Sequence, residues 1–377
     1  MSAAQAYVDH AASTPLRPEA REAMLAVLDA SFGNPSGGHA VAREARRVVE
    51  EGRDVVAGVL GCRPGEVVFT AGGTEADNLA VGGVTAARGG RPICTAVEHH
   101  AVLHAVEAAR GFVVGVDASG AVDLDALDAV LREGGTSLVS VMAAGNETGR
   151  VQDLEAVAEV IESARPGTPF HTDAVQAAPW FDVGSVAARA QLISVAAHKL
   201  GGPKGSGCLV IREGTPVVAL LHGGGQERER RSGTHDVVGI AGFAAALAAT
   251  AAERGLAARV GRLRDDLLDN LMATVPGVKE TTPDRSLLLP GHAHVLVEGC
   301  QSEELLVLLD DAGVCAAAGS SCASGATEPS HVLLAMGLDK HEAATALRLT
   351  LGRTSTRADV DLAVDAIASA ATQLRGV

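Results

Sequence analysis

The sequence predicts an α/β protein: a large domain on a mostly parallel sheet with helices on both faces, then a smaller α+β domain. Three observations carry this expectation. Short apolar runs alternate with amphipathic helical stretches between about residues 66 and 196, the pattern of strands joined by helical crossovers. A chain of 377 residues is the right size for one large and one small domain. Apolar residues make up 47% of the chain and charged residues 20%, a balance that supports a buried core and excludes global disorder.

Two helices, over 18–30 and 40–60, are expected before the sheet. Buried strands are read at 66–70, 92–96, 113–117, 138–142, 169–173 and 192–196, with helices between them at 74–82, 101–110, 124–132 and 154–165. From 237 to about 274 the pattern is almost continuously helical, which carries the chain out of the large domain. A strand near 294–298 and a helical tail complete the reading. The expected boundaries are a large domain over 16–255 and a small domain from 1–15 with 256–377. There is no internal repeat or low-complexity linker.

Charge and cysteine usage narrow the function classes. With 31 basic and 46 acidic side chains the net charge is −15, so no general field attracts nucleic-acid phosphates or anionic lipid. Direct nucleic-acid binding is not expected. The first ten residues lack a basic and apolar leader pattern, and no apolar run reaches a membrane span's length. A cytoplasmic protein without a membrane segment is the expectation. Six cysteines show neither a CxxC pair nor a paired histidine spacing, which argues against structural zinc.

Four segments carry chemistry. In 68–78 a strand ends in Gly72 and Gly73 and Thr74 opens a helix; this suits a phosphate cradle, and equally an ordinary strand–helix turn. Asp173 stands at the C-terminal end of an expected strand, where open α/β sheets place ligands. A carboxylate there can keep a pyridine nitrogen protonated; a helix cap is the plain alternative. Lys199 closely follows the next strand and precedes a glycine-rich turn. A lysine so placed suits Schiff-base chemistry, and with Asp173 lying 26 residues earlier that reading leads over a lysine snorkelling from the strand end. Cys322 sits among small residues over 316–330, an open setting for a nucleophilic thiol; a harmless surface thiol is the plain alternative.

Taken in order over nearly the whole chain, these segments resemble the NifS/IscS-type cysteine desulfurases. The resemblance rests on Asp9-His-Ala-Ala-Ser-Thr-Pro15, Phe32-Gly-Asn-Pro-Ser36, Thr74-Glu-Ala-Asp-Asn78, Glu98-His-His-Ala-Val102 and Asn146-Glu-Thr-Gly149. His198-Lys199, Arg231-Ser-Gly-Thr234, Glu328-Pro-Ser330 and Arg348-Leu-Thr-Leu-Gly-Arg353 complete it. It implies a fold-type-I, pyridoxal 5'-phosphate-dependent homodimer that converts L-cysteine to L-alanine and passes sulfur to an acceptor or scaffold protein. On the family pattern Lys199 holds the cofactor and is the candidate base, Asp173 pairs with its ring nitrogen, Gln176 contacts its phenolic oxygen, and His99 stacks on the ring as a further catalytic residue. Gly73, Thr74 and His198 hold the phosphate, and Thr234 reaches the phosphate in the partner subunit. Asn146 and Arg348 bind the substrate carboxylate, Asn34 lies near the entrance, and Cys322 receives the sulfur as a persulfide.

Two departures stand out. Ala196 occupies the place of a serine that normally donates to the phosphate, and Met142-Ala-Ala-Gly-Asn146 replaces the usual Met-His-x-Asn-Asn. Weaker cofactor retention follows as an expectation. A C–S lyase or selenocysteine lyase of a specialised pathway, with Cys322 dispensable, is the alternative.

Overall fold

The computed structural model describes residues 5–319 and 329–376. Strand β1 (Ala6–Tyr7) stands apart from the seven strands of the large sheet. Those are β2 (Val67–Thr70), β3 (Arg91–Thr95), β4 (Phe112–Val114), β5 (Thr136–Ser140), β6 (Phe170–Asp173), β7 (Leu192–Ala196) and β8 (Gly207–Ile211). Their spatial order is β2-β8-β7-β6-β5-β3-β4. Strands β4, β3, β5, β6 and β7 run parallel to one another, while β8 is antiparallel to both β7 and β2. Every residue of β5 to β8 is buried. That is why these strands read as continuous apolar runs rather than alternating ones.

The expected strands all lie within a few residues of observed ones. Strand β8 was not expected, because it opens inside a glycine-rich stretch. A Cβ on Gly207 would stand 2.5 Å from the Val195 carbonyl oxygen and 2.9 Å from Gly72 Cα. Only glycine lets the backbones approach so closely. The helical stretch expected through 237–274 is also corrected: it is two helices, Val237–Ala252 and Leu256–Thr274, bent by 79°. Gly255 supplies the left-handed φ of 76° at the break. Among the described residues no single helix is long and apolar enough to cross a membrane.

A second sheet is antiparallel and joins β9 (Val278–Glu280), β10 (His292–Val297) and β12 (Ala346–Thr350) in the order β12-β10-β9. Strand β11 (Val314–Cys315) pairs in parallel with β1. Leu267, Leu271, Val295, Leu347, Leu349 and Ile367 share one apolar cluster with Ala6 and Val8. The N-terminal segment is thereby fastened to C-terminal elements.

One turn is strained. Glu227, Arg228 and Glu229 hold φ values of 50°, 56° and 65°, a left-handed conformation that costs a non-glycine residue about 1–2 kcal/mol. Long-range contacts must hold it.

Candidate active site

The parallel strands bring their C-terminal ends to one edge, where open α/β sheets bind ligands. A cavity of about 370 Å³ lies there, lined among others by Gly73, Thr74, His99, Asn146, Asp173, Gln176, His198, Lys199 and Arg348. Its size falls in the range of small-molecule sites.

Strand β7 ends at Ala196, and a single 3-10 turn over Ala197–Lys199 then delivers Lys199. Its Nζ donates to the carbonyl oxygens of Ala11 and, at 2.8 Å, Ala12. Asp173 is the last residue of β6 and is buried. Its Oδ1 accepts from the Val175 N–H at 2.8 Å. Burial pushes the Asp173 pKa up to about 6, against the Val175 N–H and the Lys199 charge, which both favour the carboxylate.

His99 caps the helix His100–Ala108, with Nδ1 accepting from the Ala101 N–H at 3.1 Å. Burial, reinforced by the Lys199 charge, lowers its pKa to about 4. It is therefore neutral at pH 7, and a neutral ring accepting at Nδ1 carries its proton on Nε2. His198 is likewise lowered to about 4 by burial and by Lys199 and Lys204.

The helix Gly73–Arg88 points its N-terminus at the cavity with no side-chain cap. A Cβ on Gly73 would lie 3.0 Å from Val175 Cγ2, so the backbone itself forms the wall. Uncapped N–H groups at the positive end of a helix dipole favour an anion.

From the second sheet comes Arg348, only 2% exposed. Nη1 donates to the Asn146 carbonyl oxygen at 3.0 Å and Nη2 to Asp9 Oδ1 at 2.7 Å. The Asn146 turn depends on Gly149, whose φ is +78° and whose Cβ position lies 2.4 Å from His292 Cβ.

Two candidate residues are not brought to the cavity. Asn34 is exposed and its Oδ1 accepts from the Ser36 N–H at 3.0 Å. Thr234 is exposed between Gly233 and His235. Neither lines the cavity. Cys322 lies outside the described residues.

The model of the class-V aminotransferases matches residues 6–363. An IscS-like cysteine desulfurase of Mycobacterium tuberculosis is 43% identical, the match covering 98% of this chain and 97% of that protein. The chain belongs to the NifS/IscS-type cysteine desulfurase family. A solved NifS-like protein shares the family's fold with this chain at a TM-score of 0.89 and 33% identity, over 97% of this chain and 99% of that one. A structure titled SspA in complex with cysteine matches at a TM-score of 0.80 and 30% identity, over 93% of this chain and 100% of that one.

In this cysteine desulfurase family member, the lining residue Asp77 had no role from sequence, and neither did His171 and Glu98, which contact the lining residues Asp77 and Met142. Asp77 is 1% exposed and lies with Oδ1 3.7 Å from His171 Nε2. His171 bridges Ser140 Oγ at 2.8 Å and Ser194 Oγ at 2.9 Å, and burial lowers its pKa to about 3. Burial and the neighbouring Asp173 raise the Asp77 pKa. Glu98 accepts from Thr95 and Met142 at Oε1, yet burial pushes its pKa up to about 8. At pH 7 a pKa of about 8 keeps the buried Glu98 protonated, whereas Asp173, at about 6, is ionised.

Proposed function

We propose that this chain is a pyridoxal-phosphate-dependent cysteine desulfurase that converts L-cysteine to L-alanine and passes the sulfur through Cys322 to an acceptor protein. The observation that carries the reading is the shared cavity of Lys199, Asp173, His99, the uncapped helix N-terminus and Arg348. The residues fit the cofactor. On this reading Gly73, Thr74 and His198 would hold its phosphate, Asp173 would pair with its ring nitrogen, Gln176 with its phenolic oxygen, His99 would stack on its ring, and Lys199 would hold it covalently; all of them line the one cavity. Bound there, pyridoxal phosphate supplies a carbonyl that captures an amine and a ring that takes up the electron pair left on the substrate α-carbon.

The protein's own groups do the rest. Arg348 and Asn146 hold the substrate carboxylate, the arginine through its planar fork. Lys199 takes the α-proton on Nζ, helped by the carbonyl oxygens of Ala11 and Ala12 that fix the amine's place. Asp173, ionised and buried, holds the counter-charge for the ring nitrogen's proton. The Cys322 thiolate then attacks the substrate sulfur: a sulfur–sulfur bond forms, the carbon–sulfur bond breaks, and alanine leaves after protonation. Burial pushes the Cys62 thiol up to about 11 and raises Cys94, Cys208 and Cys300 as well. Among these, thiolate chemistry is disfavoured.

The reading includes a homodimer in which Thr234 serves the partner subunit's cofactor, a division near residues 15 and 255, and a cytoplasmic location. Support for the dimer is the apolar surface: Phe32 is 91% exposed and Leu28 63%, with Leu220 and Leu221 also exposed. The test is alanine and sulfide production from cysteine with reductant, for wild type and Cys322→Ala. Loss of sulfide with the cofactor still bound supports desulfuration through Cys322. Undiminished alanine and sulfide supports a reaction in which Cys322 is dispensable, as in a selenocysteine lyase, and pyruvate in place of alanine supports a C–S lyase.

A further inference from the structure

The left-handed turn at 227–229 has a specific anchor. Glu227 is 5% exposed, and its carboxylate meets both terminal nitrogens of Arg53, at 2.7 and 2.8 Å. Its Oε2 also accepts from the Phe69 N–H at 3.0 Å, and its Oε1 lies 2.7 Å from His235 Nε2. Arg53 itself is 2% exposed and donates to the Val67 carbonyl oxygen at 2.8 Å. Burial opposes the carboxylate, but the bonds from Arg53 and His235 outweigh it and draw the Glu227 pKa down to about 2. The pair is thus locked onto β2, the strand that runs directly into Gly72 and Gly73.

A second mooring lies four residues along. Arg231 donates to Glu75 at 2.7 and 3.2 Å, and Glu75 accepts from the Ala71 N–H at 2.8 Å. Thr234 therefore stands between two fixed points, Arg231 on Glu75 and His235 on Glu227, while remaining exposed and off this chain's own cavity. Three successive left-handed non-glycine residues persist only where surroundings over-determine them, and such strain gathers where a group must be presented in one place.

We propose that Glu227, clasped by Arg53, is a positioning residue for the partner subunit's cofactor: it fixes the turn from which Thr234 is presented outward. This rests on the homodimer proposed above. Glu227 touches neither substrate nor cofactor and acts through His235 and the turn.

The test uses mixed dimers in which one subunit carries Lys199→Ala, so that only the other holds the cofactor through a lysine. Glu227→Gln is placed in either subunit, and the readout is the rate at which the visible absorption of the lysine-held cofactor is lost to a cofactor-free acceptor protein. The expected result is at least a tenfold faster loss when Glu227→Gln is in the Lys199→Ala subunit, and less than twofold when it is in the lysine-bearing one. A merely structural role would act equally in both places or more strongly in the second, and that result overturns the proposal. Should Glu227→Gln fold poorly, the double variant Arg53→Met, Glu227→Leu replaces the buried pair by apolar side chains and carries the same expectation. Thr234→Val is the control. If it speeds loss across the dimer and the Glu227 variants do not, the inference fails and the dimer reading stands; if none acts across the dimer, both fall.

Discussion

Replacing Ala196 by serine should tighten cofactor binding. Ala196 ends β7, is 1% exposed and lines the cavity. Its Cβ lies 3.7 Å from the position a Cβ would take on Gly73, at the N-terminus of the helix Gly73–Arg88. A hydroxyl on that carbon adds one donor to the anion site formed by the helix N–H groups. A hydrogen bond to a charged group contributes about 1.5–3 kcal/mol, which corresponds to roughly tenfold to a hundredfold in the dissociation constant. The assay is titration of the cofactor-free protein with pyridoxal phosphate, followed by absorbance, together with the rate of cofactor loss. A dissociation constant within twofold of wild type, in a variant whose Tm without cofactor is unchanged, would refute the placement of the phosphate at this helix.

Arg348→Lys keeps the charge but loses the fork; the KM for cysteine should rise about tenfold or more, the loss of one charge-assisted hydrogen bond, with kcat less affected. Equal losses in both would point away from substrate binding. Glu98→Gln tests the buried acid. The Glu98 pKa is pushed up to about 8 in the fold from a usual value near 4.3. The folded wild type therefore binds the extra proton between those values, and its stability falls as pH rises through that window. The Tm of Glu98→Gln relative to wild type should accordingly improve from pH 5 to pH 8, and a pH-independent difference contradicts the assignment. Gly149→Ala places a methyl 2.4 Å from His292 Cβ at a φ of +78°; left-handed strain plus overpacking should cost about 2–5 kcal/mol, visible as a lowered Tm with weakened cysteine binding through Asn146.

Much of the sheet was legible because strands buried on both faces leave unbroken apolar runs. Asp173 and Lys199 stood out for the same reason, each falling at or just beyond the end of such a run. What escaped notice depends on distant approach. Strand β8 begins at Gly207, whose need for glycine comes from Val195 and Gly72 across the sheet. Asp9 meets Arg348 across 339 positions of sequence, and no local pattern marks it as that arginine's partner. Asp77 falls within the Thr74–Asn78 motif without a role of its own there, and only the packing of β6 and β7 beside it shows it lining the cavity. The turn at 227–229 contains no glycine, so its left-handed backbone had no signal in the chain. Its anchor, Arg53, is 174 residues away. The isolated Gly255 was visible, yet its role in bending two helices apart required its φ.

The central claim is that the cofactor is held by the one amine delivered at the end of β7. Borohydride reduction of the purified protein with pyridoxal phosphate bound, followed by peptide mass spectrometry, tests it most directly. A reduced pyridoxyl group is expected on Lys199, and none in Lys199→Ala. A modification on any other lysine, or no modification in a protein that still converts cysteine to alanine, would contradict it.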